Sequence, residues 1–581
     1  MSNRWWVPFG IITVLLLPIV LPLYANTILG SADNLAHLFR VVNLDLALSQ
    51  GYLWPRWAGL EAHGYGAPIF NFNYMLPYYL VRTLWHLTGS LLHASQFFMI
   101  LTLLGSAFGM YVFVASLFTV PAAIVAAVVY AYMPYHLMTI YLYGGYGEAL
   151  AYVWVPLLAY FFVKNIKHPT NRIYSMASIV TLALLILTHN LSALMAIPFV
   201  YSLIFFVSSQ FSYFHRIRNA VLSTSASILL TAWFWLPSMW EQHLTKLSVL
   251  FEKETALRGY FFQIIAPIVE NSILALRFIP PSYYSYAIGI PTIFVVCISC
   301  LFLFRSIALG NIWKHEHTRI GILYVCWFVI TLCMTRAWSE PVWKLLPAQM
   351  NFLAYPYRFF FLNSFAVAVL VGFVITRLSV ILPINIHKTL RIALVAFVIW
   401  QGVIYAHPDI DRFSFGEQYF TYEQTVREAP FTHKNMGYIE FIPITADSAF
   451  INALDDVPIQ SPRAEIISGS GLVTIQTQKV QDLSLHVQAN DTIKLRINIL
   501  YFPGWVGVIR GVTYTPNTDR EGRMVFTLPH GEHDISIQFR DTPVRTLATY
   551  ISIISLCVLL GFIVFVVSKD RFHSIRAKSL R

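Results

Sequence analysis

Runs of about 20 apolar residues recur along the whole chain, and they constrain its fold more than any other feature. Each run is long enough to cross a hydrocarbon core of roughly 30 Å as a helix, and a backbone without water has to be helical there. Only 12% of the residues are charged, against about a quarter in soluble proteins. We predict about twelve membrane spans, near residues 7–25, 94–117, 120–138, 147–163, 174–188, 191–208, 219–237, 286–304, 320–335, 357–376, 390–405 and 546–567.

The charges are distributed unevenly between the loops that these spans define. With the N-terminus inside, the cytoplasmic segments hold 17 of the 39 Lys and Arg but only two acids, Glu316 and Asp570. This asymmetry follows the positive-inside rule and predicts a bacterial inner-membrane protein with both termini in the cytoplasm. The net charge of +11 therefore indicates a lipid bilayer as partner and no nucleic acid.

The composition changes after His407, where no further membrane-length run occurs until the end of the segment at Arg545. Apolar and polar residues alternate within 472–475, 483–487, 493–497 and 534–539, with turn residues between these runs. Such period-2 patterns predict an antiparallel β-sandwich or small β-domain. No nucleophile, base and acid stand together in it, which favours a binding or scaffolding module. All five cysteines fall in apolar spans, where we expect buried thiols.

These patterns predict a polytopic α-helical membrane protein with a C-terminal extracytoplasmic β-rich domain and a final transmembrane helix. We divide the chain into a multi-span membrane domain over 1–405, with its first outer loop at 26–93. The β-rich domain then covers 406–545, and the last span and basic cytoplasmic tail cover 546–581.

The first outer loop holds the most informative polar residues. In a helix that starts after Ser31, Asp33, His37 and Arg40 share one face, because they stand at i, i+4 and i+7. We expect this helix to lie in the membrane interface with its polar face toward a wet cavity. A carboxylate there can take a proton from an acceptor hydroxyl, and the His and Arg can tune it or bind phosphate. The alternative is a network that only caps and solvates a surface helix.

Two segments rich in aromatic residues, Gly and Pro follow in the same loop. The first contains Arg56 within Trp-Pro-Arg-Trp, and the second runs from Gly64 to Tyr74 and contains Tyr65 and Asn71. Membrane interfaces enrich Trp and Tyr without any function. Carbohydrate sites also combine aromatic faces with amides and charged groups, so both interpretations stay open.

Three further polar residues lie at predicted outer ends of spans. Glu148 begins a span, and an acid at membrane depth suggests a functional site. It is a candidate ligand for a sugar or a metal, or a partner of an outer Arg. His189 interrupts an apolar stretch, which a tight outer turn also explains. Arg358 opens another span from outside, where it can hold a lipid phosphate or reach the headgroups.

The order of these motifs resembles a known family. Asp-x-x-x-His-x-x-Arg, Trp-Pro-Arg-Trp, Gly-Tyr-Gly-x-Pro-x-Phe-x-Phe, Gly-Glu before a span and Pro-Tyr-Arg-Phe resemble the bacterial membrane proteins named as 6-pyruvoyl-tetrahydropterin synthase-related. Nothing here resembles the soluble pterin enzyme. The tail, with Tyr-Phe-Pro-Gly-Trp at 501–505 and Leu-Pro-His-Gly-Glu-His at 528–533, is similar to that of YfhO-type membrane proteins.

The resemblance implies a GT-C-like fold and a glycosyltransferase that uses a polyprenyl-phosphate-linked sugar at the outer face. Asp33 matches the essential first-loop acid of such enzymes, with His37 as its helper. Arg40, Arg56 and Arg358 are then candidates for the lipid phosphate, and Tyr65, Asn71, Glu148 and His189 are further substrate-binding candidates. Glu148 is also the nearest match to a second acid that binds a divalent metal. The first loop lacks an Asp-x-Asp pair, so no cofactor is assigned. The acceptor is an unnamed envelope glycan, lipid or protein. The alternative is a non-enzymatic flippase, transporter or scaffold for envelope glycopolymers.

Overall fold

The computed structural model describes residues 6–24, 32–247, 288–311, 313–345, 355–406, 439–453 and 463–579. Helices make up most of the part before residue 406. The described α-helices are α1 (Trp6–Val20), α2 (Ala32–Ser49), α3 (Ile69–Phe72), α4 (Leu76–Thr88), α5 (Leu91–Ala115), α6 (Val120–Tyr132), α7 (Pro134–Met138), α8 (Tyr146–Lys167), α9 (Arg172–Thr188), α10 (Asn190–Tyr201), α11 (Leu203–Phe206), α12 (Tyr213–Leu230), α13 (Ala232–Glu241), α14 (Ile290–Ala308), α15 (Glu316–Cys333), α16 (Glu340–Lys344), α17 (Phe359–Ile381), α18 (Ile384–Val403), α19 (Ser448–Ala453) and α20 (Pro543–Ser579).

Within the described residues, eight helices are long and apolar enough to cross a membrane. They are α1, α5, α8, α14, α15, α17, α18 and the first part of α20. Two bent helix pairs, α6 with α7 and α12 with α13, also pass when each pair is taken together. The remaining apolar helices, α9 and the α10–α11 segment, are shorter. Each of the predicted spans overlaps one of these helices, which confirms the polytopic helical architecture.

Contacts between loops define the two ends of this bundle. At one end, Lys167 pairs with Glu316 at 2.8 Å, and the Ser208 backbone N–H donates to the same carboxylate at 3.2 Å. At the other end, the hydroxyl of Tyr146, the first residue of α8, donates to the Asn34 side chain in α2 at 2.9 Å. We call this second end the α2 end. Lys167 and Glu316 come from two predicted cytoplasmic loops, and the structure brings them together.

One predicted span is not a single straight helix. The run near 219–237 divides at Thr231, where α12 and the segment Ala232–Leu244 meet at 73°. Two local features accompany the bend. The Thr231 hydroxyl donates back to the Ser227 carbonyl at 2.8 Å, a bond that often bends helices. Pro237 has no N–H for the carbonyl of residue 233, and that carbonyl instead accepts a hydrogen bond from Arg56 at 3.1 Å.

The C-terminal domain is a pair of antiparallel sheets, as the alternating pattern predicts. One sheet has the order β1-β4-β8-β7 and the other the order β2-β3-β9-β5-β6. In β3, Leu483, Leu485 and Val487 are buried while the residues between them face outward. The strands are β1 (Ala464–Ser468), β2 (Gly471–Gln478), β3 (Asp482–Ala489), β4 (Ile493–Leu500), β5 (Trp505–Ile509), β6 (Val512–Tyr514), β7 (Asn517–Thr518), β8 (Arg523–Leu528) and β9 (Gly531–Phe539).

This sandwich packs against the first loop through aromatic side chains. The Trp57 ring lies 5.4 Å from that of Trp505 in an edge-on arrangement, and the Phe72 ring lies 6.1 Å from that of Phe502. Gly504 lies between Phe502 and Trp505 and lets the Arg545 side chain pack against this segment. An added Cβ would stand 2.7 Å from an Arg545 nitrogen. The motifs at 54–57 and 501–505 are therefore the two halves of one interface.

The expectation of buried cysteines is wrong. Cys297, Cys300, Cys326 and Cys557 are exposed and Cys333 is half-buried. They lie in apolar helices, so these thiols are on the lateral surface of the bundle.

Candidate active site

Helix α2 forms as predicted, but both of its faces are buried. Asp33 is exposed, whereas every residue from Asn34 to Leu44 is buried, including His37 and Arg40. The expectation of a helix with one wet polar face is therefore wrong for His37 and Arg40. The reason is that the tyrosines Tyr74, Tyr78 and Tyr146 cover them.

The Tyr78 hydroxyl joins the polar residues of this region. It accepts hydrogen bonds from Arg40 Nη1 at 3.2 Å and from Asn73 Nδ2 at 3.2 Å. The His37 Nδ1 atom lies 2.9 Å from the same hydroxyl. Since two donors already occupy the oxygen, its own proton goes to Nδ1, and His37 carries its proton on Nε2.

His37 is held neutral. Burial lowers the pKa of His37 well below its ordinary value, and the nearby charge of Arg40 acts in the same direction. The ring stacks on Tyr146 with centroids 4.9 Å apart. The imidazole is therefore a fixed hydrogen-bonding group rather than a cation.

Asp33 combines access to water with an enclosed position. Its side chain is exposed, yet protein surrounds it on most sides, and this burial raises the pKa of Asp33. The positive charges of Arg40 and Arg358 oppose the rise. Asp33 is thus a reachable carboxylate within electrostatic reach of two arginines.

Glu148 and Arg358 lie near the same carboxylate. Both Asp33 and Glu148 interact electrostatically with Arg358, and with each other. One Glu148 oxygen, Oε1, is buried without a hydrogen-bond partner among the described residues. Gly147 lets Tyr74 lie against the start of α8, because an added Cβ would stand 2.4 Å from the Tyr74 ring. The structure therefore brings the predicted residues Asp33, Glu148 and Arg358 together.

His189 lies at the turn between α9 and α10, as the turn interpretation predicts. Its Nδ1 accepts the Ser192 backbone N–H at 3.3 Å and lies 2.8 Å from the Ser192 hydroxyl, so the imidazole caps α10. The ring also contacts Tyr74 edge-on at 5.4 Å. His189 thus lies beside Tyr74 while it caps a helix end.

Arg56 and Asn71 belong to a different group of side chains, which we call the Glu241 network. It consists of Arg56, Asn71, Glu241, Asp541, Thr542 and Arg545. Glu241 accepts hydrogen bonds from Asn71 at 2.8 Å, Thr542 at 2.7 Å and Arg545 at 2.9 Å. Arg56 donates to Asn71 at 3.0 Å and to Asp541 at 3.2 Å. The network connects the first loop and α13 to the start of the last helix.

Tyr65 contacts the C-terminal domain. Its ring meets Phe450 edge-on at 5.2 Å, and its carbonyl accepts the Leu500 backbone N–H at 3.0 Å. These contacts link the loop to the β-sandwich. For Arg56, Asn71 and Tyr65, a role in substrate binding stays a prediction.

Sequence reasoning missed two acids of this region, Glu61 and Glu440. Both interact electrostatically with Arg40, and Glu440 also interacts with Asp33. Glu440 reaches the region because Phe441 stacks on Phe72 at 6.2 Å and the Lys246 backbone N–H donates to the Ile442 carbonyl at 2.9 Å. Glu61 precedes the Gly-Tyr-Gly motif, which was a usable signal. We call Asp33, His37, Arg40, Glu61, Tyr78 and Glu440 the α2 cluster.

The described residues do not fit a metal centre at this position. No three His, Cys, Asp or Glu side chains among them stand close enough to share an ion. The two nearest acids of the predicted set, Asp33 and Glu148, already face the guanidinium of Arg358.

The fold and this cluster define a polytopic helical membrane protein with a group of buried polar side chains at one end, beside a β-sandwich. The family model described as the 6-pyruvoyl-tetrahydropterin synthase related domain, a membrane protein, matches residues 70–408. This match covers more than half of the chain, and the chain belongs to that family, which confirms the family prediction. No curated protein matches the chain.

Several solved structures are similar to this chain. The apo oligosaccharyltransferase of Archaeoglobus fulgidus shares 12% identity and a TM-score of 0.43, over 79% of this chain and 62% of that one. The oligosaccharyltransferase AglB of the same organism, in complex with an inhibitory peptide and a dolichol-phosphate, shares 13% identity and a TM-score of 0.43, over 71% and 56%. The mycobacterial arabinofuranosyltransferase AftD shares 14% identity and a TM-score of 0.36, over 70% and 27%.

This chain spans less than two thirds of the length of each of these proteins. With TM-scores below 0.5, the likenesses assign neither fold nor activity to it. Its function has to be inferred from its own side chains.

Proposed function

We propose that this protein is a GT-C-type membrane glycosyltransferase that takes its sugar from a polyprenyl-phosphate-linked donor. It works at the α2 end, which we assign to the outer face of the bacterial inner membrane from the distribution of Lys and Arg. One observation carries the proposal. A water-accessible carboxylate, Asp33, lies within electrostatic reach of two arginines, Arg40 and Arg358, at the end of the bundle where a lipid headgroup would stand.

The reaction joins an acceptor hydroxyl to the anomeric carbon of the donor. The hydroxyl oxygen attacks that carbon, the carbon–oxygen bond to the phosphate breaks, and the polyprenyl phosphate leaves with the electron pair. Asp33 takes the hydroxyl proton. Burial raises the pKa of Asp33 toward the range in which a general base is most effective near neutral pH.

The positive charges of Arg358 and of the buried Arg40 stabilise the negative charge of the leaving phosphate. Guanidinium groups bind phosphate oxygens through charge-assisted hydrogen bonds, and such charges stabilise most in sites shielded from water. His37, held neutral by burial and Arg40, keeps Tyr78 and thereby Arg40 in position. Glu148 and His189 both lie within electrostatic reach of Arg358 and are candidates for binding sugar hydroxyls.

No step of this mechanism is assigned to a metal, because the described acids do not form a ligand set. A divalent cation remains a separate proposal. Transfer measured with a chelator, and again with Mg²⁺ or Mn²⁺ restored, tests it.

The experiment is a transfer assay with purified protein in liposomes and a panel of polyprenyl-phosphate sugars with envelope extracts as acceptors. Asp33→Asn should reduce the rate of transfer at least about 100-fold, the usual scale for losing a general base. Asp45→Asn is the matched control, since Asp45 stands on the same helix and pairs with Arg82 at 2.9 Å. It should leave the rate unchanged.

Two results would overturn the proposal. Transfer by Asp33→Asn at the normal rate would remove Asp33 from the chemistry. Movement of a labelled lipid-linked sugar across the bilayer, without any glycosylated product, would instead establish the flippase or transporter alternative.

A further inference from the structure

Glu61 precedes a turn with an unusual backbone. Ala62 has φ +48° and His63 has φ +55°, and Gly64 and Gly66 follow with φ +86° and +80°. Residues with a side chain rarely adopt this left-handed region. Such strain persists only where surrounding contacts impose it, and it concentrates at functional sites.

The β-sandwich and the turn itself supply those contacts. The Gly66 backbone N–H donates to the Glu61 carbonyl at 2.8 Å, and the Leu500 N–H donates to the Tyr65 carbonyl at 3.0 Å. Arg463 donates to the Gly64 carbonyl. Hydrogen bonds from the C-terminal domain thus hold the turn in place, and they fix the position of the Glu61 backbone.

The Glu61 carboxyl is buried, and the nearby positive charge of Arg40 offsets only part of the cost of that burial. The residue is 2% exposed, and its side chain has no hydrogen bond or ion pair with the described part of the chain. A buried carboxylate in this state is unfavourable unless it is neutralised. The groups that interact with it are Arg40 and Glu440, and Tyr78 also lies within electrostatic reach.

The charges around Arg40 conflict with the binding of an anion. Glu61 and Glu440 both interact electrostatically with Arg40, and Asp33 does so as well. With all three acids ionised, Arg40 stands among three negative charges, and these carboxylates repel a phosphate. With Glu61 protonated, the repulsion falls and the guanidinium can receive the phosphate.

We propose that Glu61 is a positioning residue of the donor site, which has to carry a proton before an anionic phosphodiester binds beside Arg40. This inference rests on the proposed function and adds that donor binding and proton uptake are coupled. Burial raises the pKa of Glu61 to about 7, against the opposing effect of Arg40. Glu61 therefore changes its charge in the physiological range.

The test measures the Kd of farnesyl methyl phosphate for the purified full-length chain between pH 5.5 and 8.5. This probe is a phosphodiester, and its single charge is constant over that range. In the wild type, Kd should be flat below pH 7 and rise by up to about tenfold per pH unit above it, because one proton is taken up on binding. Glu61→Gln should be flat throughout and bind more tightly than the wild type at pH 8.

The control is Asp534→Asn, which removes the same charge from the exposed face of the β-sandwich, where Asp534 pairs with His486 at 2.8 Å. Its pH profile should follow the wild type. A structural role of Glu61 would weaken binding at every pH in Glu61→Gln, and that result would overturn the proposal. A flat wild-type profile would do the same.

Two further outcomes are distinguishable. If Glu440→Gln flattens the profile while Glu61→Gln does not, the proton is held by Glu440 and the assignment to Glu61 is wrong. If the probe binds at no pH, the phosphate-binding part of the proposed function fails together with this inference. Binding with a flat wild-type profile contradicts the inference alone.

Discussion

Two groups of buried polar side chains lie in the region of the first loop, and they are built in opposite ways. In the Glu241 network, the central carboxylate accepts three hydrogen bonds and its main partner, Arg545, is completely buried. In the α2 cluster, Asp33 is open to water, and Glu61 is buried without a hydrogen bond among the described residues. The Glu241 network pairs its charges with its own hydrogen bonds, whereas the α2 cluster contains acids without a hydrogen bond among the described residues.

The difference separates a structural role from a functional one. A satisfied buried network fixes how elements are arranged, and the Glu241 network joins the first loop, α13 and α20. Acids with shifted pKa values that face a cavity are typical of sites that bind or react. Removal of a charge should therefore change stability in opposite directions in the two groups.

The largest effect is expected for Glu241→Gln. The amide cannot compensate the buried Arg545 cation, and breaking a buried pair costs about 3–5 kcal/mol. The thermal unfolding midpoint in detergent should fall, and the β-sandwich should become more sensitive to protease. Glu465→Gln is the control, because its pair with Arg496 at 2.6 Å is partly exposed and should contribute less than about 1 kcal/mol.

The double variant Glu241→Gln/Arg545→Met sharpens this test. It should recover part of the lost stability, since no buried charge is then left unpaired. An unfolding midpoint of Glu241→Gln equal to the wild type would contradict the structural role of the network.

The opposite sign is expected for Glu61→Gln. Burial raises the pKa of Glu61 to about 7 from 4.5, so the folded protein keeps a proton that the unfolded chain has lost. The contribution of Glu61 to the free energy of unfolding is then greatest below pH 4.5 and falls as the pH rises toward 7, by on the order of 3 kcal/mol at most. Glu61→Gln should remove this part of the fall and unfold at a higher temperature than the wild type at pH 8. A lower midpoint at pH 8 would contradict it.

The turn that holds Glu61 offers a pair of glycines for a smaller test. Gly66 has φ +80°, and an added Cβ would stand 2.3 Å from the Trp57 indole nitrogen, whereas Gly64 has φ +86° and open space around it. Gly64→Ala should cost about 1–2 kcal/mol from the backbone alone. Gly66→Ala should cost more, because it also displaces Trp57 from Trp505. Equal unfolding midpoints would show that the indole moves without cost.

Much of the architecture follows from residue patterns. Apolar runs of about 20 residues predict the spans, because a helix satisfies all of its backbone hydrogen bonds within the run, and alternation predicts strands such as β3. The bend at Thr231 is not marked by a glycine. It is accompanied only by the Thr231 hydroxyl and by Pro237, within an otherwise continuous apolar run. The lateral position of the cysteines was not predictable either, because a helix that faces lipid is apolar on its outer side too.

The α2 cluster was predictable only where its residues share one element. Asp33, His37 and Arg40 follow from helical spacing on α2. Glu61 and Glu440 are 379 positions apart in the chain, and Glu440 reaches Arg40 through tertiary contacts of the 439–442 segment with Phe72 and Lys246. Arg56 and Asn71 belong to the same first loop as most residues of the α2 cluster. No local sequence pattern reveals that their partners are Glu241 and Asp541.

The smallest effect is expected for Asp45→Asn, at the other end of α2. The Asp45 carboxylate is about one quarter exposed and pairs with Arg82 at 2.9 Å and His86 at 2.8 Å. Exposed pairs contribute less than about 1 kcal/mol and weaken in salt. The unfolding midpoint should therefore shift little, and the shift should shrink further in 0.5 M NaCl, a concentration at which surface charges are screened within about 4–5 Å.

The value of this variant lies in its contrast with Asp33→Asn. Both remove one negative charge from the same helix, but only Asp33 interacts with Arg40 and Arg358. A loss of transfer in Asp45→Asn as large as that in Asp33→Asn would mean that the total charge of α2 matters rather than the position of one carboxylate. The distinction between the α2 cluster and a merely charged helix would then fail.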